Sequence, residues 1–183
     1  MKLFYVILGA TPKGRNTEQH DVFFGIGETL KELIPSMKKF WPEANGKIHI
    51  DCYQEVRFVD GYEVKIEEKR KENPGNNLFF INLGGYHPEK FEELHEQFLM
   101  ADQSMSKIIR RVKKTDFYKN MGFPEAVSHI DDKHGVDIDD IFKVTDILPA
   151  AMKEKYSIIL EKSESANQKN FTYIGYLAIS KLK

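Results

Sequence analysis

Histidine, aspartate and glutamate recur along this chain at matched intervals. Glu18-Gln19-His20 falls on Glu93-Leu94-His95 when the sequence is shifted by 75 residues, and His49-Ile50-Asp51 falls on His129-Ile130-Asp131 at a shift of 80. Such a set supports three kinds of chemistry. Two imidazoles and a carboxylate are a ligand set for a divalent metal ion. A histidine beside an aspartate can also carry a proton to or from a small organic ligand. The commonest role is structural: each histidine bonds a backbone carbonyl or the nearby aspartate and pins its loop, because buried polar groups need partners. His20, His49, Asp51, His95, His129 and Asp131 are therefore the candidate ligand-binding residues. Their spacing assigns no catalytic role and implies no particular cofactor; a metal, if bound, falls to these same side chains.

Other segments carry weaker signals. The stretch GATPKGRNT (Gly9 to Thr17) has the glycines, cations and hydroxyls of a phosphate cradle. It lacks the full Walker pattern, however, and its counterpart GGYHPEKFE has no such character, so it reads as an exposed loop. The basic run KIIRRVKK (Lys107 to Lys114) turns Ile108, Ile109 and Val112 inward on a helix and its cations outward, which is a solvated face. The acidic run DDKHGVDIDD (Asp131 to Asp140) lacks the spacing and closing glutamate of an EF-hand. There is no HExxH motif, CxxC pair or Ser-His-Asp order.

The elements that must position the histidines come from the same repeat. Over residues 3–39, ten of 37 positions are identical at the shift of 75, beginning with LFYVILG on LFFINLG. Leu3 to Leu8 is aromatic and β-branched and stops at Gly9, which predicts a strand. A second strand runs to about residue 27, since a helix there would carry Gly25 and Gly27 inside it. Leu30, Leu33, Ile34 and Met37 then follow helical spacing, as do Met105, Ile108, Ile109 and Val112. Thr29 with Glu32 suggests a capping box, Ser104 a second cap, and Pro35 a kink. From Lys47 to Tyr53 the chain alternates, with Ile48, Ile50 and Cys52 on one face and His49, Asp51 and Tyr53 on the other. Val56 to Ile66 continues as strand, with a tight turn at Asp60-Gly61.

The expected fold is thus α+β: a tandem duplication of a strand-strand-helix-strand-strand module, with a largely antiparallel sheet and two long helices packed on it. The modules span 1–72 and 73–148, joined by the charged, Pro-Gly-containing stretch EEKRKENPGNN. Residues 149–183 form a C-terminal hairpin extension from YSIILE and FTYIGYLAIS, the whole making one compact structural unit.

These residues also carry a resemblance. The opening LFYVILG strand, EQHDVFF, HID, VDGY and HIDDKHGVDIDDIF resemble the bacterial domain of unknown function 1543, here in two tandem copies over residues 1–148. The resemblance implies no activity. Composition narrows the function only by exclusion. With 27 Lys+Arg against 28 Asp+Glu the net charge is −1, without the basic excess of a nucleic-acid binder. One cysteine excludes an internal disulfide, and no apolar run reaches the ~18 residues that span a bilayer, so a cytoplasmic protein is expected. The first functional expectation is a non-catalytic module binding a small molecule or a protein, with homodimerisation compatible. The alternative is a hydrolase or isomerase using the duplicated His/Asp site, with or without a metal.

Overall fold

The computed structural model describes residues 1–68, 75–124, 126, 136–164 and 168–182. Along the chain run β1 (Lys2–Ala10), β2 (Gln19–Gly27), a 3-10 turn (Leu30–Leu33), α1 (Ile34–Phe40), β3 (His49–Val56), β4 (Phe58–Val59) and β5 (Tyr62–Glu68). Then come β6 (Asn77–Tyr86), β7 (Glu93–Asp102), α2 (Met105–Val112), α3 (Asp116–Asn120) and β8 (Val136–Lys143). α4 (Val144–Ile147), α5 (Ala150–Lys155), β9 (Tyr156–Lys162) and β10 (Phe171–Ala178) complete it. The class is α+β, and every strand pairing is antiparallel. The chain divides into two units, Met1–Glu72 with Thr145–Lys183, and Asn73–Val144.

The first unit holds a four-stranded sheet in the order β10-β3-β1-β2 and a three-stranded sheet β4-β5-β9. On one face of the larger sheet Phe4, Val6, Leu8, Ala10, Phe23 and Ile50 meet Leu30, Leu33 and Met37 in a buried cluster. The helical stripe read from the sequence is therefore correct in its residues but not in its length. Pro35 has no N–H to give and its ring crowds the carbonyl four residues back, so α-helix cannot run through it. A 3-10 turn occupies Leu30–Leu33, and α1 starts with the proline in its first turn. The expected capping box does not form: Glu32 Oε2 accepts the N–H of Glu28, one residue before the cap, at 3.0 Å, and the Thr29 hydroxyl donates to Glu32 Oε1 at 3.3 Å rather than capping the backbone. At Asp60-Gly61 both residues have positive φ, 52° and 80°, between the paired Val59 and Tyr62, the two-residue turn that suits a hairpin's twist.

The second unit is a three-stranded sheet in the order β7-β6-β8. Phe79, Ile81 and Leu83 bury one face of β6 against Ile108 and Val112 of α2 and Tyr118 of α3. Here too the helix is short, eight residues, because Thr115 breaks it and caps α3 by accepting the Tyr118 N–H at 3.3 Å. The expected pair of long helices is thus two short ones, each covering one sheet face.

The tail does not form a hairpin. β9 pairs with β5, and β10 pairs with β3 as an edge strand of the four-stranded sheet. Both complete the first unit: Leu177 packs on the main cluster, and Ile158 is buried. Leu8 and Leu83 stand at equivalent places on β1 and β6, both 0% exposed. Truncating either to alanine should cost about 2–5 kcal/mol, read as a lowered urea midpoint at unchanged slope.

Candidate functional site

The site in the first unit is organised around Gly9. In the ladder, Gly9 pairs with His20 of β2 on one side and His49 of β3 on the other, so three strands bring both imidazoles into one row. The β1–β3 register shifts between Ile7 and Leu8, leaving Asp51 as the extra residue of a β-bulge. The β10–β3 register shifts at the same level, between Ile174 and Leu177, where Gly175 has φ of 135°. A Cβ added at Gly9 would fall within 3.0 Å of His49 Nε2 and Asp51 Oδ2. Glycine is required because the imidazole and the carboxylate occupy the space over its backbone.

The bulge also corrects the expected alternation. Cys52 pairs with Ile7, on the Gly9 side of the sheet, while Tyr53 packs on the hydrophobic cluster. Burial and then the Asp51 charge push the Cys52 thiol up, against a smaller opposing pull from the Ile7 backbone. Burial likewise holds the Tyr5 phenol well above its usual range, stacked on Phe24 at 5.0 Å.

Each of two carboxylates offers one oxygen to each imidazole. His49 Nε2 lies 3.0 Å from Glu18 Oε1 and 3.3 Å from Asp51 Oδ1. His20 Nε2 lies 3.3 Å from Asp51 Oδ2 and 3.7 Å from Glu18 Oε2. Among the described residues, Asp51 Oδ2 is buried yet accepts no hydrogen bond, even with His20 Nε2 at 3.3 Å. Its distance is that of a bond, but its direction is not. Tyr176 of β10 lies across the His49 ring, centroids 4.6 Å apart, and His49 is 13% exposed against 51% for His20.

In the second unit Gly84 pairs with His95 of β7 and Asp137 of β8, and the bulge between Asn82 and Leu83 makes Asp139 the extra residue. His95 Nε2 lies 3.2 Å from Asp139 Oδ2 and 3.8 Å from Glu93 Oε2. Of the residues expected from the sequence, His20, His49 and Asp51 come together, and His95 takes the corresponding place. His129 and Asp131 lie outside the described residues, and the β8 position that matches Asp51 belongs to Asp139. Sequence reasoning passed over Glu18, Glu93, Asp139 and Tyr176. The signal for the first two was present, since Glu-x-His puts both side chains on one strand face.

Comparison with known proteins fits this picture. The model of a family described as Domain of Unknown Function (DUF1543) matches residues 15–66, the stretch holding Glu18, His20, His49 and Asp51. That is one copy, where the sequence suggested two. The fold is similar to that in the crystal structure of a protein Il1583 from Idiomarina loihiensis, with a TM-score of 0.63 and 23% identity over 97% of each chain. No curated protein matches the chain. Among the described residues no helix is long and apolar enough to cross a membrane.

The bulge has a chemical readout. Burial first and the Asp51 charge second push the Cys52 thiol up, so it holds its proton at neutral pH. Removing that charge by Asp51→Asn lowers the thiol's pKa, so more thiolate forms. Alkylation by iodoacetamide, followed by mass spectrometry in EDTA, should run faster in the variant at pH 7–8.

Proposed function

We propose that the protein is a binding module whose ligand is a divalent transition-metal ion, held in the first unit by His20, His49, Asp51 and Glu18. The observation that carries this is the set of nitrogen–oxygen distances of 3.0 to 3.7 Å around a buried carboxylate oxygen that no donor satisfies. Hydrogen-bonded atoms lie along the N–H axis, whereas ligands of one ion stand side by side. With zinc bonds of about 2.0–2.2 Å, tetrahedral neighbours are roughly 3.3 Å apart, and because each imidazole here faces a different oxygen of each carboxylate, an ion would draw these side chains in to reach that spacing. Charge supports the same reading. Among the described residues, Glu18 and Asp51 meet no lysine or arginine within ion-pair distance, only the two histidines. A divalent cation would cancel both carboxylates and leave the imidazoles neutral, the form in which they ligate.

A second reading, a metal-assisted hydrolase or isomerase, rests on the half-exposed His20. That side of the cluster is open to solvent and would admit a water or a small ligand beside the ion. Nucleic acid is not the expected partner, and a cytoplasmic setting fits the single cysteine. We also read the two units as copies of one module, a reading supported by the shared glycine-and-bulge register.

Metal-stripped full-length protein should bind Zn²⁺ in a calorimetric titration. Zinc at about a hundred times its Kd should stabilise the fold by about 2.7 kcal/mol, raising Tm. In a His95→Ala/Asp139→Asn background, which removes the corresponding residues of the second unit, His49→Ala should abolish the rise, and Asp51→Asn should weaken binding by more than about tenfold. Zinc binding that is absent from the wild type, or that in this background survives both substitutions, rules the reading out.

A further inference from the structure

The second unit carries the same backbone device with a different donor set. A Cβ at Gly84 would come within 3.0 Å of the carboxylates of Asp139 and Glu93, so here too glycine clears the space that side chains occupy. Glu93, His95 and Asp139 offer ligand atoms that all lie within 4.8 Å of one another. They come from two strands flanking β6, so their convergence is set by the ladder and not by a mobile loop. We propose that Glu93, His95 and Asp139 hold a second divalent ion, at a site that favours harder metals than the first.

The preference follows from the donors. The first unit brings two imidazole nitrogens to two carboxylates, and the second brings one imidazole to two. At the register position of His49, opposite the glycine, the second unit has Asp137 in place of a histidine. Imidazole suits zinc, copper and nickel, whereas carboxylate oxygen suits manganese, magnesium and calcium. Zinc still binds more tightly than manganese at most sites of either kind, so the difference lies in the ratio of the two affinities. That ratio is smaller in the second unit. The inference extends the metal reading of the first unit but stands on separate residues, which permits a separate test.

Full-length protein, stripped with EDTA, is titrated with MnCl₂ and with ZnCl₂ by calorimetry, and free Mn²⁺ is counted by its electron paramagnetic resonance signal. A His20→Ala/His49→Ala protein, with the first site disabled, should still bind one Mn²⁺ per chain. Adding Asp139→Asn should weaken that binding by more than about tenfold, since even an outer partner of a metal ligand is worth roughly 10–100-fold. Asparagine keeps the size of the side chain, and circular dichroism checks the fold. The zinc-to-manganese affinity ratio should be lower in His20→Ala/His49→Ala than in His95→Ala/Asp139→Asn. The inference is overturned if the first of these proteins binds no Mn²⁺, if its Mn²⁺ binding survives His95→Ala/Asp139→Asn, or if the ratios are equal or reversed. Mn²⁺ bound through Asp139 in a wild type that takes no zinc at His49 would remove the reading of the first unit and sustain this one.

Discussion

Everything chemical in this protein depends on one steric allowance. On an inner strand of one sheet in each unit, β1 and β6, a glycine stands where any larger residue would collide with polar side chains from the neighbouring strands. The antiparallel ladder alone places His20 and His49 on the two sides of Gly9, and His95 and Asp137 on the two sides of Gly84. The β-bulge adds the missing component: one extra residue on the outer strand, out of register, whose carboxylate leans over the glycine. Missing Cβ and extra backbone unit act together. Without the first there is no room, and without the second the carboxylates of Asp51 and Asp139 would not reach it.

That arrangement explains what could be read from the sequence and what could not. Strand period and helix stripe depend on burial, and burial is written in residue type. The strand from Leu3 to Leu8, the strand ending at Gly27, and the buried Leu30, Leu33, Met37, Ile108 and Val112 are therefore all legible. The lengths of the helices were less so, because a period says which face is apolar and not where backbone hydrogen bonding stops. Pro35 and Thr115 decide that locally.

The site was half legible for a sharper reason. The repeat shift is 75 through β1 and β2, and the string HID suggests 80 afterwards. The ladder instead matches Asp51 with Asp139 and Ile50 with Ile138. The two alternatives differ by eight residues, an even number, and an even slip along a strand keeps every side chain on its own face. Hydrophobic alternation thus cannot tell them apart; only the pairing to β6 can. A bulge is equally silent in sequence, since it is an event in the register of two strands. The tail shows the same limit. FTYIGYLAIS reads as a strand, but its partner, β3, lies more than a hundred residues upstream.

The consequence of that distant pairing is electrostatic. β10 lies along β3 and lays Tyr176 across His49, leaving that imidazole 13% exposed, while His95 of the second unit is 43% exposed. Charges interact more strongly where water is kept away, and an unsatisfied polar atom costs more there. The two imidazoles of the first unit, His49 at 13% and His20 at 51% exposed, thus stand in two dielectric settings. In the first unit the aromatic cover raises both the penalty for leaving Asp51 Oδ2 without a partner and the gain from satisfying it with a cation. In the second unit His95 holds the place of His20 and is 43% exposed against 51%, so solvent access at that position hardly distinguishes the two sites. What distinguishes them is the register position opposite the glycine, His49 in one and Asp137 in the other, and it is there that the donor sets part.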